Sequence, residues 1–235
     1  MNSPCHPTKG ATLLEWFGSS YDTFALVLPP FSAEPSEVFT EQARKDAKSV
    51  RWSYLCERLN CSVSELATSL LHHVHELPAG HVAPRPDVEA FIASQGLAPP
   101  PPGMIASSLE ATIGSVLLGH GERSIDVFDE FGIDRAAVDV SDLLRARSVF
   151  AGMTFLVSHL RSSSLDLLAT TQHDRHHVLV AGDAAVIQSF LMHPGLDCIP
   201  LPGGYVVERW WLDTALAFAS TPSPQGAPVR DEGFE

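Results

Sequence analysis

No two cysteines of this chain are spaced as CxxC, and the four present (Cys5, Cys56, Cys61 and Cys198) match no zinc-site template. Reduced thiols are the expectation, as in a cytosolic protein. Lysine is scarce: Lys9, Lys45 and Lys48 stand against twelve arginines, and the 15 basic residues are outnumbered by 28 acidic ones, for a formal net charge of −13. Such a surface repels nucleic-acid phosphates, which need clustered cations, and it attracts basic partners. No run of about 18 apolar residues occurs, so no membrane span is expected. The opening MNSPCHPTKGATLLEWFG has no basic start leading into an apolar segment, so a signal peptide is not expected and the cytosol is the expected location. GxGxxG, GxxxxGK[ST] and GxSxG are all missing, which removes the motif-based case for a dinucleotide fold, a P-loop or a nucleophile elbow.

What is there reads as α+β, a helical first half followed by a mainly antiparallel sheet carrying one or two helices. DTFALVLPPF predicts a strand stopped by Pro29-Pro30. A helix follows from Pro35 and Ser36 through Tyr54, broken at Asn60-Cys61. Ser62-Val63-Ser64-Glu65 has the form of a capping box and opens a second helix, about Val63 to Leu77. Pro78 to Gly103 holds seven prolines, four of them consecutive, so it cannot be one helix or a central strand. A short helix near Pro86–Ser94 interrupts it, and the proline run reads as a stiff connector. Ala106–Gly119 reads as a helix. After Gly121 the texture changes to short runs rich in Val, Leu and aromatics, broken by AAVIQSFLMH, for which Asp183 is a good N-cap. The expected organisation is a lobe over 1–103, a sheet region over 104–220 and a disordered Pro/Ser/Gly-rich tail over 221–235.

Two histidine clusters invite a metal reading. In HDRHH, residues 173–177, successive strand residues face opposite sides, so His176 and His177 cannot both reach one ion without a bulge. We read the segment as the polar end of a hairpin. In LLHHVHEL, His72, His75 and Glu76 share a helical face, but the order is not that of a metalloprotease, and an exposed helix surface explains them. A metal-dependent hydrolase using His72, His75, Glu76, His173 and His176 is the alternative to be tested; no metal or cofactor is expected. YLCERLNCSVSELATSLL has a helix-turn-helix outline, yet its second helix has no Lys or Arg with which to read DNA.

The strongest signal is acidic. Glu122 to Asp142 holds seven acids and two bases, interleaved with Ile125, Phe128, Phe131 and Ile133. Carboxylates beside aromatics suit a basic protein partner, and Asp126, Asp129, Glu130 and Asp134 are the candidate contact residues. A solvated edge with the aromatics turned inward is the competing reading.

An acidic, cysteine-poor α+β chain without catalytic motifs is similar to bacterial immunity proteins, the dedicated inhibitors of toxin domains in contact-dependent growth inhibition and related polymorphic toxin systems. From Phe150 to Trp211 the chain also looks like a bacterial family that arranges LLATTQHDRHHVLVAGD, AAVIQSFL and an aromatic strand ending RWW. That pattern implies that the Thr170-Thr171, Asp174 and His176 region lies between two central strands. The resemblance to immunity proteins implies tight binding to a toxin domain, often a basic nuclease, and no chemistry by this chain.

Overall fold

The computed structural model describes residues 11–17, 21–33, 49–70, 84–145, 147–162, 164–171 and 175–206. In chain order the elements are α1 (Leu13–Phe17), β1 (Thr23–Leu28), β2 (Phe31–Ala33), β3 (Ser49–Val50), α2 (Trp52–Leu59), α3 (Val63–Ser69), α4 (Pro86–Ser94), β4 (Leu97–Ala98), α5 (Glu110–Gly119), β5 (Ser124–Phe128), β6 (Arg135–Asp139), β7 (His159–Ser162), β8 (Leu167–Thr170), β9 (Val178–Gly182), α6 (Ala184–Leu191) and β10 (Asp197–Leu201). Seven strands form one sheet in the order β10-β1-β9-β8-β7-β5-β6, and β3-β2-β4 form a second, small one. Among the described residues every strand pair is antiparallel. The chain is therefore α+β.

The first half is not only helical. β1 enters the large sheet, pairing with β9 on one side and β10 on the other. Its uninterrupted apolar run, FALVL, is buried throughout, as a strand covered on both faces must be. Phe24, Leu26 and Leu28 face a core shared with α1 to α4, whose buried members include Trp52, Leu55, Leu66 and Val88. Ala25 and Val27 face the other core, built on α5 and α6 with Ile113, Leu117, Ile187 and Phe190. Alternation along β1 thus joins two hydrophobic layers through one strand. Asp197 of β10 ties α2 down further: it accepts from the Ser53 amide at 2.7 Å and the Ser53 hydroxyl at 2.8 Å.

Local signals account for the helix ends. Ser62 and Glu65 form the reciprocal capping box of α3. Asp183 accepts from the Ala185 amide at the start of α6. α2 ends at Asn60, which is left-handed (φ 47°), with Cys61 N–H bonded to the Cys56 carbonyl at 3.0 Å and Asn60 N–H to the Glu57 carbonyl at 3.2 Å. That is a Schellman closure, which brings the side chains of positions 56 and 61 together. Gly114 lets α5 lie against the 3₁₀ turn Val140–Leu144, where an added Cβ would meet the Leu143 Cβ at 2.9 Å.

The helix expected from Pro35 through Tyr54 is corrected at its end: Ser49–Val50 is strand β3, held by pairing with β2, and α2 begins only at Trp52. Residues 34–48, the 71–77 part of the expected second helix and the 207–235 segment with RWW and the tail lie outside the described residues. The Phe150 stretch, part of an apolar run expected to be strand, begins as a 3₁₀ turn, Phe150–Gly152. Its cause is Glu110 at the head of α5, whose carboxylate accepts from the amides of Val149 (2.7 Å) and Phe150 (3.0 Å) and from the Ser148 hydroxyl. No helix among the described residues is long and apolar enough to cross a membrane.

Candidate functional site

β5 and β6 form a hairpin at one edge of the large sheet, with Phe128 opposite Arg135 and Ser124 opposite Asp139. Its turn, Asp129–Asp134, is built by Asp129. One carboxylate oxygen accepts from the amides of Ile133 (2.7 Å) and Asp134 (3.1 Å), and the backbone closes from the Asp129 amide to the Asp134 carbonyl. Gly132 supplies the left-handed residue (φ 68°) that the reversal requires. Asp at the start and Gly at the bend are what this turn needs. Nothing in it calls for large apolar side chains, yet Phe131 is 61% and Ile133 is 79% exposed. The aromatic at the tip is not turned inward; Ile125, lower on the hairpin, is buried.

The four candidate contact residues divide. Asp134 is exposed at the tip, and Glu130 is half-buried beside Phe131. Asp129 is occupied in holding the turn. Asp126 is paired with Arg135 across the strands, at 2.6 Å and 3.1 Å, while the same guanidinium lies 5.6 Å over the Phe128 ring. Asp126 and Arg135 thus offset each other in charge.

A buried histidine anchors the hairpin tip. His159, at the start of β7, bonds the Glu130 carbonyl through Nε2 at 3.0 Å and the Thr170 hydroxyl through Nδ1 at 2.6 Å. A carbonyl can only accept, so Nε2 carries the proton, and in the neutral ring Nδ1 accepts from Thr170. The same end of the sheet receives the proline connector. Ile105 N–H bonds the Val157 carbonyl at 2.7 Å, Gly103 N–H bonds the Arg175 carbonyl at 3.0 Å, and Ser158 Oγ donates to the Gly103 carbonyl at 2.8 Å. The run that reads as a stiff spacer is clamped to the sheet by its own backbone. HDRHH is divided in turn: its last two residues lead into β9, His176 donates from Nδ1 to the Pro100 carbonyl, and His177 is buried. The segment joins β8 to β9, which are neighbours in the middle of the sheet.

Sequence reasoning missed that Glu122 is turned inward. It heads the acidic stretch but is only 8% exposed, and it accepts from the amides of Arg123 and Ser124 and the hydroxyls of Ser162 and Ser164. Burial pushes its carboxyl up, but these four donors outweigh burial and hold it below the usual glutamate value. A lowered native pKa stabilises the fold above the unfolded value of 4.5, and that contribution is lost as pH falls through the native pKa. Glu122→Ala, which strands buried donors, is expected to cost about 2–3 kcal/mol at neutral pH. Urea titrations of both proteins at pH 7 and pH 3.5 check this. An equal difference at the two pH values would mean that the carboxylate is not held ionised.

His72, His75, Glu76, His173 and Asp174 lie outside the described residues. Among the described residues, no group of three or more His, Cys, Asp or Glu side chains is placed to hold a metal ion. Comparisons of the chain with protein-family models, with curated proteins and with solved structures found no match.

Proposed function

We propose that the chain is a binding protein that neutralises a basic protein partner by direct contact, in the manner of an immunity protein that blocks a toxin domain. The observation that carries this reading is the β5–β6 tip. Phe131 and Ile133 are presented to solvent by a turn that does not need them, with Glu130 and Asp134 beside them. A large apolar pair with a charged rim is the composition of an interface centre, where aromatic side chains contribute most of the affinity. The net charge of −13 adds long-range attraction for a basic surface. Leu156, 65% exposed, is a further exposed apolar side chain, three residues before β7, the strand that opens with His159. Rigid support from His159 and Asp129 keeps the tip in one shape, which limits the ordering cost of association.

The test is co-expression with the polypeptide encoded by the neighbouring upstream gene, followed by size exclusion at moderate salt. A stoichiometric complex is expected. Phe131→Ala with Ile133→Ala is then expected to weaken it by about 30-fold or more, the scale of a lost interface centre. Asp134→Lys is expected to slow association, with a smaller effect in high salt. Unchanged affinity in the double variant moves the site elsewhere; elution of this chain alone removes the role. The second reading, a metal-dependent hydrolase, is tested on the same sample by elemental analysis, where a stoichiometric metal would favour it.

A further inference from the structure

We infer that Cys56 and Cys61 form an oxidation-sensitive thiol pair, in which Cys61 reacts with a hydroperoxide and Cys56 resolves the product to an intramolecular disulfide. The inference is independent of the partner-binding reading. The chain geometry places the two thiols together. They occupy the two ends of the Schellman closure of α2, joined by the 3.0 Å bond from Cys61 N–H to the Cys56 carbonyl around left-handed Asn60. Each of the two thiols is the largest influence on the other's titration, as groups side by side are, and both cysteines are free.

The two environments differ in the way a reacting and a resolving thiol require. Cys61 is half-buried and open to small reagents, whereas Cys56 is buried. Arg85 caps this end of α2, donating to the Asn60 carbonyl at 3.0 Å and the Leu59 carbonyl at 3.2 Å. The neighbouring Cys56 thiol and, after it, the Arg85 guanidinium hold the Cys61 thiol below its ordinary range, against burial and the carboxylates of Glu65 and Asp87. Cys61, with burial, pushes Cys56 up. Cys198 is a contrast. It is buried, its Sγ donates to the Phe190 carbonyl at 3.3 Å, and burial pushes its thiol up to about 12, so little thiolate forms there.

The chemistry balances with one hydroperoxide. With hydrogen peroxide, the Cys61 thiolate attacks one peroxide oxygen, the O–O bond breaks, and the leaving hydroxide takes up the proton that the Cys61 thiol released, giving water and leaving Cys61 as sulfenic acid. Cys56 sulfur then attacks the Cys61 sulfur. The S–O bond breaks, and the departing hydroxide takes the Cys56 proton to give a second water. Two thiols lose two electrons in all, and one peroxide is reduced.

The experiment uses the full chain treated with a small excess of hydrogen peroxide. Trypsin cleaves after Arg58, between the two cysteines, so non-reducing mass spectrometry reads the bond directly. A Cys56–Cys61 linked peptide that reduction separates is expected. In Cys56→Ser, dimedone is expected to trap sulfenic acid at Cys61; in Cys61→Ser, Cys56 is expected to stay reduced. Arg85→Gln is expected to slow Cys61 oxidation several-fold, with circular dichroism confirming that each variant is folded. The inference is overturned if Cys61 runs to sulfinic acid while Cys56 stays reduced, if Cys61 links to Cys5 instead, or if Cys56 oxidises equally fast in Cys61→Ser.

Discussion

Replacing Trp52 by alanine is expected to destabilise the chain by about 3–5 kcal/mol, the range for deleting a fully buried tryptophan. Trp52 opens α2 and has no solvent exposure. Its ring packs against Phe31 at 5.2 Å between centroids, and its indole N–H donates to the Pro29 carbonyl at 2.8 Å, at the end of β1. The cavity would open between the helical layer and the strand that belongs to both cores. The loss should therefore reach the whole sheet and not only the first hundred residues. Thermal unfolding followed by far-UV circular dichroism is expected to remain a single transition, lowered by roughly 10 °C or more for a chain of this size. Two transitions, of which only one moves, would mean that the helical layer folds independently of the sheet.

The second large effect concerns His177 and acid. The side chain is 4% exposed at the start of β9, and the Thr171 hydroxyl donates to its backbone carbonyl at 3.1 Å. Burial, with the charges of Arg175 and His176 adding to it, pushes the imidazole down to about 3. The native protein thus keeps His177 neutral while the unfolded chain takes up a proton near the ordinary value of 6.5. Between those values the unfolded state binds more protons, so stability is complete above 6.5 and falls as the pH is lowered toward 3. The slope approaches about 1.4 kcal/mol per pH unit, which amounts to about 2 kcal/mol by pH 5. The upper part of that window, pH 6.5 to 5, lies above the unfolded glutamate value of 4.5 below which the Glu122 contribution is lost, so the two are separable there. His177→Gln, neutral throughout, is expected to flatten the decline in urea-derived stability between pH 6.5 and 5. A variant with the same slope as the parent would assign the acid sensitivity to another group.

Both predictions rest on contacts that sequence reading did not supply. It located the strand Thr23–Leu28 from one apolar run and two prolines, but nothing local says that this strand pairs with residues 178–182 and 197–201. The acidic stretch shows the same limit. Seven carboxylates look alike in sequence, and the structure gives them different work. Glu122 is buried on hydroxyls 40 and 42 residues away, Asp129 ties a turn, Asp126 pairs with Arg135, and Asp134 remains at an exposed tip. Of the candidate contact set, the charge density and the neighbouring aromatics were legible, whereas which acids face solvent was not. The thiol pair was legible in principle, since Asn60 followed by a capping box marks the end of one helix and the start of the next.

What the sequence by itself determined are the features whose physical range is a turn or two of chain. These are the capping box at Ser62 and Glu65, the Asp183 cap, the helix Pro86–Ser94 and the apolar strand β1 ended by its prolines, and from such elements the α+β class. Tertiary structure alone decided the strand order, the joining of two cores through β1, the clamping of the proline connector at Gly103 and Ile105, and the exposure of Phe131 and Ile133. The reason is that a cap or a turn is satisfied by atoms a few residues away. Burial, by contrast, is settled by whichever distant segment supplies the matching surface or the missing donor.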